Sequence, residues 1–415
     1  MRRAASGRRF GLARGRLEGE SPTMQRGASE RHFGMDWLRI GAFQLLILYH
    51  VGMAFVPWDY HVKVASLDWV SIPMQLTSPW RLSLLFVVSG YASAALLGRS
   101  AGAGAFLRQR MARLGLPLLF GMIVVVPPQP WVQLVTQHGY EAGFASFLAH
   151  DYFRFRTIAG IAMPGWMHLW FVAYLIAYTL VLGLGHALPA RWREMLRRGG
   201  ERLFAGPQIL IVGIAFVWWT RIRLIPGWED THNLVDDWSA HAHYLGMFLF
   251  GVLLRGSAPM MRTIARWWKL AALLAIGGYL VLAGLEYRHP GPAPLPPAMR
   301  PLLWAARAVE SWAAIVALIG LADRYANRDH RWRATLAEAV FPCYLVHQTI
   351  ILLVGYWLRG SAIGLLAQFL ILIAATLAGC WLFYLAGRRI EPLRPLIGLK
   401  RLPGPGAARL RPATA

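Results

Sequence analysis

The first long apolar segment of the chain contains two side chains of chemical interest, Arg39 and His50. They are eleven residues apart, close to three helical turns, so on a helix both lie on one face about 16 Å apart in depth. An imidazole can accept a proton from a reacting hydroxyl, and a guanidinium can bind a phosphate or a carbonyl oxygen. An arginine reaching the membrane surface and a histidine bonded to a neighbouring helix would give the same pattern.

Four more polar residues in apolar segments are candidates for contact with a substrate: His347, His168, Arg81 and Glu310. Charged groups at membrane depth are costly and therefore rare, so each needs a partner or a role. His347 is expected at a depth similar to that of His50, and His168 and Arg81 near the outer surface. Packing would also explain the histidines, and Glu310 is three residues from Arg307, which favours mutual neutralisation.

Arg110 and Arg113 are candidates for binding the phosphates of a donor. They are three residues apart and share one helical face at a predicted cytoplasmic mouth, where a phosphate would meet two guanidinium groups. A role in setting topology explains the same charges. For Ser89 and Gly90, whose small side chains permit close helix approach, packing is the favoured interpretation.

The composition indicates the kind of fold that holds these residues in place. Of 415 residues, 56% are hydrophobic and 15% are charged, with a mean hydropathy of +0.41, whereas soluble domains carry about 25% charged residues. Apolar runs long enough to cross a bilayer recur along the chain. We therefore predict an all-α, polytopic membrane helix bundle with spans near 37–57, 74–98, 114–135, 167–188, 207–225, 238–256, 267–286, 301–323, 336–358 and 361–387.

The net charge of +23 follows membrane topology rather than a nucleic-acid surface. One set of alternate connections, with both tails, holds 31 Lys and Arg residues, and the other set holds six. This bias predicts that both termini lie in the cytoplasm. We expect a disordered basic tail over 1–34, one membrane domain over 35–390 and a basic tail over 391–415, and no nucleic-acid partner.

Other site types lack support in the sequence. His232, His241 and His243 have no spacing that completes a metal ligand set, so no metal is expected. Both cysteines fall within predicted spans and do not suggest a disulfide framework. A phosphate-binding glycine loop and a Gly-X-Ser-X-Gly motif are also missing.

Several motifs taken together resemble the membrane-bound acyltransferase 3 family. They occur in the family's order and spacing from the first predicted span to the ninth: Arg39-X10-His50, Phe86-Val-Val-Ser-Gly-Tyr91, Arg110-X-X-Arg113 with Pro117, His168-Leu-Trp-Phe171 and Tyr344-Leu-Val-His347. The segments WRLSLLFVVSGY and HLWFV are similar to the branch that succinylates periplasmic glucans. The resemblance implies ten core helices and transfer of an acyl group from cytoplasmic acyl-CoA to a hydroxyl of an envelope glycan or lipid-linked carbohydrate.

Within that resemblance, His50 corresponds to the family's motif histidine and Arg39 to its motif arginine, while Arg110 and Arg113 match the Arg-X-X-Arg motif. His50 would act as general base or as a transient acyl carrier, and Arg39 would meet CoA phosphate or the thioester oxygen. A multi-pass transporter or flippase is the alternative, because buried Arg, Glu and His also suit a transport pathway. A third hypothesis is that the protein is a catalytically inactive membrane scaffold.

Overall fold

The computed structural model describes residues 32–222 and 230–402, and most of them lie in helices. The longer helices are α1 (Phe33–Met53), α3 (Arg81–Leu97), α4 (Ala103–Phe120), α5 (Pro128–Gln137), α7 (Trp170–His186), α8 (Ala190–Leu203), α9 (Gln208–Ile222), α10 (Trp238–Arg255), α11 (Ala258–Arg288), α12 (Arg300–Tyr325), α13 (Arg333–Leu358) and α14 (Leu365–Arg389). Three short helices are α2 (Ser71–Gln75), α6 (Phe144–Phe147) and α15 (Leu393–Leu396).

The structure describes two short stretches of the expected tails, residues 32–34 and 391–402. Helix α1 begins at Phe33, two residues inside the tail predicted over 1–34, and the His32 side chain accepts a hydrogen bond from the Met35 backbone. Residues 391–402 are packed structure: Arg394 is buried, and Ile397 belongs to the main core. The expectations for 1–31 and 403–415 lie outside the described residues.

Five helices of the described chain are long and apolar enough to cross a membrane: α7, α11, α12, α13 and α14. Two bent pairs would raise the number to seven, α4 with α5 at 43° and α8 with α9 at 100°. Helix α3 is apolar but shorter. The chain is thus a helical membrane protein, and the expected ten spans and the orientation of the termini stay predictions.

The bends have local causes. Helix α4 passes through a π-helical turn over Gly121–Val125 and then meets Pro127 and Pro128, which lack the N–H that would continue the ladder. Between α8 and α9 the chain turns at Gly206, whose φ of 56° favours glycine, and Pro207 follows it directly before α9 begins.

The core forms where α1 packs among α3, α12 and α13, and where α3 packs closely against α10. A Cβ atom at Gly90 of α3 would stand 1.9 Å from the carbonyl oxygen of Phe248, and one at Gly251 of α10 would stand 1.9 Å from that of Val87. Glycine at both positions lets the two backbones touch. The packing interpretation of Gly90 is therefore confirmed.

A small β-ribbon is the one departure from all-α structure in 32–222 and 230–402. Strands β1 (Arg156–Ile158) and β2 (Ile161–Met163) pair antiparallel, with Arg156 opposite Met163. Beneath them, Phe147, Tyr152 and Met163 join Leu134 of α5 in a separate apolar cluster. The ribbon covers the end of α5, whose first turn faces the polar site described next.

Candidate active site

His50 and His347 come together at the centre of the polar site. His50 lies in the last turn of α1 and His347 in the middle of α13, and their ring atoms Nδ1 and Nε2 are 3.0 Å apart. His347 is fully buried, whereas His50 keeps partial exposure. Sequence spacing predicted similar depths for the two, and the fold adds direct contact across 297 residues of chain.

The hydrogen bonds around this pair determine which nitrogen atoms carry protons. Nδ1 of His347 lies 2.6 Å from the Tyr344 carbonyl oxygen, which can only accept. In the neutral ring Nε2 of His347 is then an acceptor, so Nδ1 of His50 donates to it. The remaining nitrogen of His50, Nε2, carries a lone pair.

His168 stands beside His347 but has both ring nitrogens engaged by the protein. The ring centroids of His168 and His347 are 5.2 Å apart. Nε2 of His168 donates to the Leu345 carbonyl at 3.1 Å, and Nδ1 accepts from the Gln129 amide at 3.1 Å. Gln129 also donates to Thr349 at 2.8 Å, and the Tyr344 hydroxyl donates to the His168 carbonyl at 2.5 Å. His168 therefore has a structural role beside His347, with both of its ring nitrogens used in hydrogen bonds within the protein.

Tyr60 covers the other face of His50. The two rings stack with centroids 6.4 Å apart and planes at 15°, and the buried Tyr60 hydroxyl has no hydrogen-bond partner. Burial, helped by Tyr49, raises the pKa of Tyr60, so its hydroxyl stays protonated and can donate. Tyr60 is therefore a donor beside the reactive imidazole.

The loop that carries Tyr60 is fixed back onto the end of α1. The Lys63 ammonium donates to the carbonyls of Met53 at 2.9 Å and Val56 at 2.7 Å, and also to that of Trp58. These carbonyls belong to the end of α1 and the residues after it, where a cation is favoured. His61 bonds Gln133 of α5 at 2.7 Å, and burial lowers the pKa of His61 despite that bond. The loop is thus anchored on both sides of Tyr60.

Arg81 and Glu310, the other expected substrate contacts, occupy different places. The Arg81 guanidinium lies 3.4 Å from the Tyr49 ring centroid, and its charge acts on His50. Glu310 is buried on α12, and neither of its carboxylate oxygens has a hydrogen-bond partner. Arg307 and Glu310 interact electrostatically, as expected, but no hydrogen bond joins them, and the Arg307 guanidinium donates to Gln75 at 3.3 Å.

Arg39, Arg110 and Arg113 gather at the opposite end of α1. Arg39 donates to the Ala337 carbonyl of α13 at 3.1 Å, and the charges of Arg39 and Arg113 both act on Arg110. Arg113 is exposed on the surface of the fold, whereas Arg110 is half-buried. Three guanidinium groups in one place form a site suited to phosphate.

Apolar packing fills the interval between Arg39 and His50 on their shared helix face. Phe43 and Leu46 are buried there, and the Phe43 ring lies 5.6 Å from that of Tyr344 and 6.3 Å from that of Phe171. Arg39 is therefore separated from His50 by more than side-chain reach. Of the two roles expected for Arg39, binding of a distant anionic group fits this geometry, whereas contact with a reacting oxygen at His50 does not.

Comparison with known proteins identifies the family. A family described as an acyltransferase domain matches residues 32–385, more than half of the chain. The chain belongs to the acyltransferase 3 family. Among curated proteins and among solved structures, nothing matches. Both ends of α1 and all the histidines of the site fall inside the matched region.

This acyltransferase 3 chain contains site residues that sequence reasoning missed, namely Tyr60, Gln129 and Thr349. Gln129 and Thr349 are polar residues beside prolines or a histidine in predicted spans, and that pattern was a usable signal. Tyr60 lies in a connection, where no periodicity marks it. In the described ranges, no group of three or more His, Cys, Asp or Glu side chains is placed to hold a metal ion.

Proposed function

We propose that this membrane acyltransferase moves an acyl group, of the acetyl or succinyl class, from cytoplasmic acyl-CoA to a hydroxyl of an envelope glycan or a lipid-linked carbohydrate. The observation that carries the proposal is the hydrogen bond between His50 and His347, which leaves Nε2 of a partly exposed imidazole free to act as a base. The family assignment supports acyl transfer as the reaction class.

In the proposed reaction the acceptor hydroxyl gives its proton to Nε2 of His50 while its oxygen attacks the thioester carbon. The imidazolium that forms keeps its Nδ1–H directed at His347, which accepts it. The tetrahedral intermediate then collapses, the C–S bond breaks, and the CoA sulfur takes the proton from His50. A two-step route through an acyl group on Nε2 of His50 uses the same geometry.

Tyr60 would stabilise the negative charge that develops on the thioester oxygen. Its buried hydroxyl stands beside His50 without a partner and is ready to donate. Preorganised donors of this kind lower the barrier because they need no reorganisation during reaction. We expect Tyr60→Phe to reduce kcat about 100-fold with little change in KM, measured as initial rates of CoA release. An unchanged kcat would exclude this role.

The donor would bind with its phosphates at Arg39, Arg110 and Arg113. The flexible pantetheine arm of CoA separates the phosphates from the thioester, so it would run along α1 past the buried Phe43 and Leu46 to reach His50. In this proposal the arginines at one end of α1 bind the donor, and His50 at the other end takes part in the reaction.

Arg110→Gln tests the donor site. Loss of one charge-assisted contact to phosphate should raise the KM for acyl-CoA about tenfold and leave kcat nearly unchanged. The experiment compares KM at low and high salt, because screening weakens an exposed phosphate contact. Arg108→Gln, an exposed arginine on the same helix, serves as the matched control. A fall in kcat at constant KM would contradict a binding role.

The direct test of the function is chemical analysis of the cell envelope. Mass spectrometry of envelope glycans from cells with and without the protein should reveal one acyl increment per modified site. Membranes supplied with acyl-CoA labelled in the acyl group should transfer label to that fraction and release CoA. Movement of unmodified substrate by the reconstituted protein without CoA release would instead support a transporter.

A further inference from the structure

Arg81 is a buried cation without a hydrogen-bonding partner for most of its guanidinium. It is the first residue of α3 and only 4% exposed. Its Nε and Nη1 atoms are buried and unpartnered within the described part of the chain. Tyr49 supports the guanidinium from one face at 3.4 Å and also interacts with it as a hydrogen-bond partner, but Nε and Nη1 stay unpartnered. A charged group left in this condition requires an explanation.

Arg307 brings a second guanidinium toward the same place. Its Nη2 donates to Gln75, and its Nε is buried without a partner. Ser311, one turn further along α12, donates to the Pro79 carbonyl at 2.9 Å, which holds α12 against the turn that precedes Arg81. Tyr49 also interacts electrostatically with Arg307. Tyr49 therefore lies under the influence of both guanidinium groups.

The nearby carboxylates leave Arg81 unneutralised. Glu286 accepts from Gln75 at 2.5 Å and so acts on Arg307 through that amide. The Glu310 side chain begins close to Gly278 of α11: a Cβ atom built at Gly278 would lie 2.9 Å from the Cβ atom of Glu310. The carboxylate oxygens of Glu310 form no hydrogen bond with either arginine. By contrast, Arg221 on the neighbouring α9 is paired with Asp230 at 3.0 Å. Arg81 lacks this kind of pairing.

We propose that Arg81 forms an anion-binding site for a carboxylate or a phosphate carried by one of the two substrates that meet at His50. The Tyr49 ring that supports Arg81 lies 6.0 Å from the His50 ring, so the anion would sit one aromatic ring away from the reacting atoms. This proposal rests on the proposed acyl transfer. A guanidinium with two free N–H directions suits a two-oxygen anion better than a neutral group.

Two substrates can supply that anion, and binding measurements separate them. One source is the free carboxylate at the far end of a dicarboxylic acyl chain, and the other is an anionic group on the acceptor. The full chain in lipid nanodiscs is titrated with succinyl-CoA and with butyryl-CoA, whose acyl chains have equal carbon number but differ in the carboxylate. Glycerol 1-phosphate and glycerol form the second pair of probes.

If the acyl chain carries the anion, succinyl-CoA binds about tenfold more tightly than butyryl-CoA. Arg81→Gln should remove that preference without weakening butyryl-CoA, and Arg81→Lys should keep part of it. If the acceptor carries the anion, the thioesters bind alike and glycerol 1-phosphate binding is lost in Arg81→Gln. Arg288→Gln, an exposed arginine of α11, controls for loss of one positive charge.

The anion site is refuted if Arg81→Gln alters neither preference, or if it weakens butyryl-CoA and succinyl-CoA equally, which indicates a general structural defect. Thermal unfolding of each variant identifies such a defect directly. The proposed function fails separately: if membranes release no CoA from acetyl-CoA, butyryl-CoA or succinyl-CoA while glycerol 1-phosphate binding still depends on Arg81, the anion site stands and acyl transfer does not.

Discussion

Replacing His50 by glutamine is expected to lower the rate of O-acylation about 10³-fold while the protein remains in the membrane at normal levels. Glutamine can still donate to Nε2 of His347, so the contact between α1 and α13 survives. What it loses is the basic nitrogen that takes the proton from the acceptor hydroxyl. The measurement is initial-rate CoA release together with acyl transfer to envelope glycan.

The effect on KM distinguishes a chemical role of His50 from a role in binding. Because Arg39, Arg110 and Arg113 lie at the other end of α1, the KM for acyl-CoA should change little in His50→Gln. His138→Gln, which alters an exposed histidine at the end of α5, should keep full activity. Undiminished acylation by His50→Gln would reject His50 both as base and as acyl carrier.

Some features of the site could be predicted from the sequence, whereas the contact between His50 and His347 could not. The spacing of Arg39 and His50 follows from helical geometry alone, so their shared face was predictable. Contact between His50 and His347 depends on how α1 packs against α13, which no local pattern encodes. The same limit applies to Tyr60, because its place over His50 depends on the Lys63 ammonium binding carbonyls several residues away.

The fold, too, could be predicted from the sequence only in part. Apolar runs predicted helical segments because each must satisfy its own backbone in lipid, and α7, α11, α12, α13 and α14 fit that rule. Bends and surface helices were not predicted, since hydropathy averages over them: α8 is charged and turns 100° from α9. Spacing predicted the interaction of Arg307 with Glu310 on one helix, but it could not predict that Arg307 also donates to Gln75 on another helix.

The close contact between α3 and α10 predicts a large effect of substitution on the stability of the fold. Gly90→Leu should destabilise the protein by about 3 kcal/mol or more, because overpacking that forces a backbone to move is the costly kind. A Cβ atom there would meet the Phe248 carbonyl oxygen at 1.9 Å, and this backbone atom cannot rotate away as a side chain can. The measurement is the free energy of unfolding in detergent.

Gly277→Ala provides the matched control, because this helical glycine of α11 is exposed and a Cβ there would meet nothing within 4 Å. Removing glycine flexibility from a helix without a clash should stabilise it by about 0.5–1 kcal/mol. The two variants should thus change stability in opposite directions, because the new side chain meets a backbone oxygen at position 90 and open space at position 277. If Gly90→Leu unfolds like the unmodified protein, α3 and α10 do not touch through their backbones at this position.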